Sequence, residues 1–468
     1  MIVDPVDVTV DLLIAGHADG SLSPVDVVDA CLDRIEEWDP TLNAFVLVDA
    51  DRARAAARES AARWSGGEQR GPLDGVPVTV KDLPDVSGWP TRKGSRQTDE
   101  LPAAADSPVS ARLREAGCIL LGKTTLPEQG WTGAGHSPLT GITRNPWSPD
   151  RTSGGSSAGA GVAAATGMGV LHVGTDGGGS IRMPAAFCGV VGLKPTFGIV
   201  PVFPPAGSGL LSHVGPMART VRDLAWMMTV IAQPDARDAY PSLRDDRPWL
   251  ECIDNGVEGL RVAFAPALPH AEVHPDVATA VASAVSDLAG AGAVVDELDP
   301  GAVGLPDCRA AFLTLWDAGV GRALAGVSAD RVGLSDPGLV ATWERAQRLS
   351  ALDYLGADRV RAEATIAMSA LLERYDVLIT PTMPDVAFAA GQAVADPRIQ
   401  QHWVDWTPFT YPFNMTRHPA GSVPVGLSSD GLPIGMQVIG RHFDDRTVLQ
   451  VMRASELRKP MASWRPPA

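Results

Sequence analysis

Three serines and one lysine carry the chemistry that this sequence offers. Ser180 closes a run of three glycines, Gly177 to Gly179, inside the stretch GTDGGGSIRMPAAFCGVVG, with Asp176 before the glycines and Arg182 just after the serine. Glycine lets a substrate approach backbone closely, and successive exposed N–H groups form a concavity that binds anions. A serine ending such a run suits a nucleophile whose oxyanion is held by backbone donors. Taken alone, GGGS more often describes a surface turn with a solvated serine. The pair Ser156-Ser157 lies upstream in GGSSAGAGVAAATG, and Lys81 ends the valine-rich run GVPVTVKD. A serine hydroxyl needs a base, and a lysine serves as one when burial destabilises its ammonium. The plainer readings are a strand-end lysine on the surface and a helix N-cap at the serine pair.

Together these stretches resemble the amidase signature family of serine hydrolases. Ser156 and Ser180 stand 24 positions apart, with the lysine upstream at the end of a Val-rich strand. LLGKTTLPE, TRNPW, SHVGPMARTVRD, DVLITPTMP and GLPIGMQVIG extend the resemblance over nearly the whole chain. It implies that Ser180 is the acyl-accepting nucleophile, that Ser156 is a bridging serine on a cis peptide bond, and that Lys81 is the base. It further implies that Ser157, Asp176 and Arg182 support this network, and that the N–H groups of Gly177, Gly178, Gly179 and Ser180 form the oxyanion hole. The chain departs from the family's usual pattern at Ala158, where a glycine is common, and at Gly177, where a bulkier residue is common and glycine would loosen the loop.

The implied reaction is hydrolysis of a carboxylic amide through an acyl-enzyme, with no cofactor and no metal. Trp131, Trp316, Trp406 and Phe409 are candidate substrate contacts; with Trp403, Tyr411 and Phe413 they suggest an aromatic cleft for aryl or alkyl amides, esters or carbamates (urethanes). The same aromatics would also serve as ordinary core. The resemblance is nearer to bacterial amidases than to membrane-anchored fatty acid amide hydrolases, since the N-terminus has no hydrophobic anchor. The alternative within the family is an ammonia-releasing glutamine amidase subunit of a tRNA amidotransferase.

Three further matches point elsewhere and are outweighed. Gly117 to Thr124 reads G-x-x-x-x-G-K-T, but its middle, CILL, is a buried-strand sequence rather than a phosphate loop. Gly155 to Gly159 reads G-x-S-x-G, yet RNPWSPDRTSG before it is not the strand that a nucleophile elbow needs. His270 and His274 have the i, i+4 spacing of metal ligands, but Pro269 and Pro275 break the helix that spacing requires.

The elements that must position the reactive groups alternate short apolar strands with helices, which indicates an α/β fold built on a mixed sheet with helices on both faces. Ser23-Pro24 opens a helix that should end near Asp39-Pro40. Helices are expected over about 49–64, 110–116, 220–231, 275–290, much of 305–374 and 445–458. Strands are expected at 76–80, 118–121, 170–173, 190–195, 260–264, 376–380, 422–425 and 433–439, with 144–153 as loop. Residues 1–468 then form one large domain. Its parts are a helical stretch (about 1–65), a catalytic core (about 70–230), a mostly helical insert (about 232–374) and a closing segment (about 375–468) that completes the sheet.

Composition narrows the partners. The formal charge of −16 disfavours nucleic acid and anionic membrane surfaces. The 5 cysteines are odd in number and widely spaced, which indicates neither a zinc site nor a disulfide framework. Without a basic n-region or a long apolar run, the chain is expected in the cytoplasm, acting on a small amide or carbamate, with a homodimer as a compatible assembly.

Overall fold

Alternation of small apolar residues turns most of the short runs above into strands of a single sheet. The computed structural model describes residues 4, 7–242, 247–269, 271–460 and 464–467; His270 lies outside them. In chain order the strands begin with β1 (Phe45–Val48), β2 (Pro77–Lys81) and β3 (Ile119–Thr124). Four short ones follow, β4 (His136–Ser137), β5 (Gly141–Ile142), β6 (Arg144–Asn145) and β7 (Ser148–Thr152). Next come β8 (Leu171–Asp176), β9 (Val191–Lys194), β10 (His213–Ala218), β11 (Arg261–Phe264) and β12 (Val294–Glu297). The last three are β13 (Val377–Pro381), β14 (Ala420–Leu427) and β15 (Pro433–Gly440).

Eleven of these strands form one sheet, ordered β1-β3-β2-β8-β10-β9-β14-β15-β13-β11-β12. Pairing is parallel from β3 through β2 to β8 and again from β13 through β11 to β12. It is antiparallel between, so the sheet is mixed. The bond between β9 and β14 joins the first half of the chain to its last segment, as expected for ends that share a sheet. Both faces are covered. On β3, Leu120 enters one hydrophobic cluster while Ile119 and Leu121 enter another; on β13, Val377 and Ile379 part from Leu378 in the same way. This alternation is what helices packed on both sides require.

Several boundaries differ from the expected ones, for local reasons. Ser23 accepts a hydrogen bond from the Val25 amide, and the helix it caps runs Pro24–Leu42, through Pro40 rather than stopping there. Proline in the last turn removes one ladder bond, and the Asp39 carboxylate accepts the Ala44 and Phe45 amides at 2.6 and 3.0 Å beyond the helix end. The 144–153 stretch is not simple loop but the pair β6–β7, closed by the Asn145 amide on the Thr152 carbonyl at 3.0 Å. Pro216 disguises β10 as non-strand; β9 pairs only with Met217 and Ala218, beyond the proline. The mostly helical 232–374 stretch supplies β11, where a strand is expected, and also the edge strand β12. Its helices Arg309–Gly321, Pro337–Ala346 and Ala351–Arg374 carry much of a separate aromatic cluster built around Phe312, Trp316, Trp403 and Trp406.

The G-x-x-x-x-G-K-T match is explained by the same sheet. Its middle lies in β3, and Gly122 is glycine because β1 crosses it: a Cβ there would stand 2.1 Å from the Leu47 carbonyl oxygen. Gly122→Ala is therefore expected to lower unfolding free energy by about 1–3 kcal/mol in a denaturant titration. An unchanged midpoint would contradict this close crossing.

Candidate active site

β2 and β8 run parallel and adjacent, and their carboxyl ends deliver Lys81 and Asp176 to one place. Ligand sites in open α/β sheets form there. Lys81 is fully buried, and its Nζ donates to Ser156 Oγ at 2.7 Å, Thr175 Oγ1 at 2.8 Å and Ser157 Oγ at 3.1 Å, with the Thr175 carbonyl at 3.4 Å. Every one of these acceptors is neutral. Burial holds the Lys81 amine well below the ordinary lysine range, and the nearby Asp176 charge opposes this only in part. Ser157 does occupy the N-cap position of helix Ala158–Thr166, but its side chain makes no cap bond. Its hydroxyl instead joins Thr175, donating to the carbonyl and accepting from the amide, each at 3.1 Å. The Gly155–Ser156 peptide is cis.

Asp176 does not pair with Lys81. Its carboxylate accepts both Nε and Nη2 of Arg182 at 3.0 Å, the Asn414 amide at 2.9 Å, and the Gly179 and Ile181 amides at 2.7 and 3.1 Å. Arg182 and these hydrogen bonds pull its pKa far below the usual carboxylate range against the cost of burial. Arg182 in turn donates to Asn414 Oδ1, the Thr410 carbonyl and Gln437 Oε1 at 2.6, 2.9 and 2.7 Å, so β15 and the 410–415 turn brace the loop. Lys194, at the end of β9, donates to the His418 and Pro195 carbonyls. Burial and the Arg182 charge push it down to about 7.

The glycine loop follows from its surroundings. Gly179 has φ +127, and a Cβ there would meet Thr410 Oγ1 at 2.4 Å. Cβ atoms at Gly177 and Gly178 would strike Trp316 and Trp403 at 2.8 and 2.6 Å. The space at Gly177 is thus filled by Trp316, and the loop is held rather than loosened. Among the described residues the N–H groups of Gly177, Gly178 and Ser180 have no hydrogen-bond partner. The Gly179 N–H is occupied by Asp176, which removes it from the four donors expected to face an oxyanion.

Ser156, Ser180, Thr175, Gly177 and Trp316 line one cavity of about 330 Å³. The other expected aromatic contacts do not. Trp131 packs on Gly338 and accepts, through its carbonyl, the Trp316 indole N–H at 3.1 Å. Trp406 stacks on Phe187 with centroids 6.1 Å apart, and Phe409 is fully buried against β15. Trp131 and Trp406 belong to the core cluster that holds Trp316, and Phe409 to a separate one with Leu378 and Ile439. Sequence reasoning missed Thr175, Asn414, Gln437 and Phe203, of which Gln437 lies in the quoted GLPIGMQVIG. The other motifs are resolved as well. The lysine of the G-K-T match, Lys123, forms a buried ion pair with Asp82 at 2.9 Å. No strand directly precedes the G-x-S-x-G stretch, since β7 ends at Thr152. His274 caps the Pro275–Gly290 helix, and no group of metal-binding side chains occurs among the described residues. Nor is any helix among them long and apolar enough to cross a membrane.

With this geometry in view, the relatives are informative. A family model described as Amidase matches residues 26–449. The chain belongs to the amidase signature family. An acylamidase of Rhodococcus erythropolis is 35% identical over 97% of this chain and 95% of its own. A glutamyl-tRNA(Gln) amidotransferase subunit of Anaeromyxobacter dehalogenans is 36% identical over 94% of each chain. Among solved structures, a bacterial aryl acylamidase of this family superposes with a TM-score of 0.90 at 28% identity, covering 98% of this chain and 99% of that one. A 6-aminohexanoate cyclic dimer hydrolase does so at 0.89 and 28%, covering 99% of each. The chain is therefore similar to enzymes of amide chemistry along essentially its whole length.

The brace makes its own prediction. Asp176→Asn leaves the buried Arg182 guanidinium without its counter-charge, and is expected to cost about 3–5 kcal/mol in a denaturant titration. A loss under about 1 kcal/mol, the scale of an exposed pair, would show that the brace is solvated.

Proposed function

We propose that this protein cleaves carboxylic amides by acyl transfer to Ser180, with Lys81 as base and Ser156 as relay. The observation that carries this reading is the fully buried Lys81 amine, bonded only to neutral oxygens and 2.7 Å from Ser156 Oγ. Neutral Lys81 takes the Ser180 proton by way of Ser156 as Ser180 Oγ adds to the carbonyl carbon. The oxyanion faces the N–H groups of Gly177, Gly178 and Ser180, which need no reorganisation to receive it. The relay returns the proton to the leaving nitrogen, since an amine leaves poorly as an anion. Water then adds to the acyl group by the same route and releases the acid. Ser157, Asp176 and Arg182 hold these groups in place.

The substrate class is hydrophobic aryl or alkyl amides, with esters and carbamates as chemically equivalent carbonyls. Trp316 and Phe203 in the cavity lining and the acylamidase relatives support it. The second reading is a glutamine amidase working within a tRNA amidotransferase, favoured by the 36% identity to the Anaeromyxobacter protein. Turnover of anilides by the isolated chain, with no need of a partner protein, separates the two.

Ser180→Ala is expected to abolish turnover and the acyl adduct seen by mass spectrometry. Lys81→Ala and Ser156→Ala each should lower kcat by roughly 10²–10⁴-fold with the melting transition retained. Since Lys81 must be neutral to act and burial lowers its pKa, kcat/KM should rise with pH and level off well below the usual lysine range. Full activity of Ser180→Ala would overturn the nucleophile assignment, and a rising limb that persists in Lys81→Ala would overturn the base.

A further inference from the structure

The cavity that holds Ser156 and Ser180 is lined by two charged side chains, Lys93 and Arg322, and by no carboxylate. In a chain of formal charge −16 that is a local reversal of sign. Neither cation has a hydrogen-bond or ion-pair partner for its side chain among the described residues. Several neighbouring arginines, by contrast, are paired. In the same helical region Arg309, Arg345 and Arg361 bind Asp405, Asp317 and Asp358 at 2.7, 2.7 and 2.6 Å. Arg322 directly follows the Arg309–Gly321 helix that carries Trp316, and it is left open. It also borders two adjoining cavities lined by Asp238 and Asp358. Asp358 is held by Arg361, and Asp238 accepts the Tyr240 amide at 3.0 Å.

Lys93 is placed rather than adrift. Its φ is +55 and that of Gln129 is +54, a left-handed conformation uncommon for either residue type. The two are tied by the Gln129 amide on the Lys93 carbonyl at 2.8 Å, and both line the cavity. On either side, the Arg92 amide bonds to the Asp82 carboxylate at 3.1 Å, and Ser95 Oγ donates to the buried Glu128 at 2.5 Å. Lys93 also borders an outer cleft with Asp85 and Asp106, and pairs with neither.

We propose that this cavity selects amides bearing a carboxylate on an apolar arm, and that Arg322 and Lys93 recognise that carboxylate. The proposal rests on the amidase reading for the bond that is broken, but not for how the ligand is held. Val109, Val202, Phe203 and Val320 supply apolar wall beside the two cations. An aryl or alkyl group can lie against that wall with its anionic end on the guanidinium fork, which matches a carboxylate bidentately. The same cations repel an ammonium, so selection works by exclusion as well as attraction.

The test is calorimetric binding to the Ser180→Ala protein of 4-acetamidobenzoate and of 4-acetamidobenzamide, which share shape and differ in charge. The anion should bind about tenfold tighter or more, as one charged hydrogen-bonded contact implies. Its advantage should shrink between about 0.05 M and about 0.5 M salt. Arg322→Glu should reverse the preference, and Arg322→Gln and Lys93→Met should each reduce it. If the charge reversal does not fold, Arg322→Gln and Lys93→Met decide the matter. Equal affinities for the two ligands, or a ratio unmoved in both Arg322→Glu and Lys93→Met, overturns the proposal. Binding to Ser180→Ala needs no turnover. If wild-type protein hydrolyses neither amide while the preference in binding persists, the amidase reading fails and this one stands.

Discussion

An amine and a carboxylate stand at the ends of adjacent parallel strands, and the arrangement depends on their not pairing. Lys81 ends β2 and Asp176 ends β8, and both are fully buried. An ion pair between them would hold the amine as ammonium. Arg182 prevents this by engaging both oxygens of the carboxylate, while Asn414 and two loop amides occupy what remains. The lysine is left with three hydroxyls and a carbonyl, partners that suit a neutral amine. The Asp176–Arg182 pair therefore turns the carboxylate away from the Lys81 amine, whose pKa its charge raises only in part against burial.

That same pair shapes the glycine loop. Because Asp176 takes the Gly179 and Ile181 amides, the chain turns back and leaves the N–H groups of Gly177, Gly178 and Ser180 unpartnered. Indoles of Trp316 and Trp403 press on the loop from the other side and leave no room for a Cβ. The loop is thus held by the Asp176 carboxylate and by aromatic rings that leave no room for side chains on it. The aromatic cluster comes from helices and turns late in the chain, while the reactive groups come from its first half. The link between β9 and β14 brings the two halves together.

The apolar cavity wall and its two open cations give the site a second character. The proposed acyl transfer by Lys81, Ser156 and Ser180 is general to any acyl group. The shape and sign of the surrounding wall come from Lys93 and Phe203 in loops, from Trp316 within the Arg309–Gly321 helix and from Arg322 just after it, all outside the sheet.

Ser180 after three glycines, the Ser156-Ser157 pair and Lys81 at the end of a valine run were legible from residue types and spacing, because local chemistry dictates local sequence. So were most strands and helices, whose period is written in apolar residues. β10 was hidden by Pro216, and the helix running on through Pro40 by a proline that its last turn tolerates. Four expected aromatic contacts reduced to Trp316 alone, since composition does not distinguish a cavity wall from the core behind it. That one of the four N–H groups expected to face an oxyanion, that of Gly179, is taken by Asp176 was hidden for a similar reason: only folding brings that carboxylate onto it. Asn414, Gln437 and Thr410 could not be read as partners of Arg182, more than two hundred positions away. The sequence by itself marked Lys81, Ser156, Ser157 and Ser180 as the candidate reactive groups. The tertiary structure decided which charges they meet, because burial and pairing depend on contacts between distant parts of the chain.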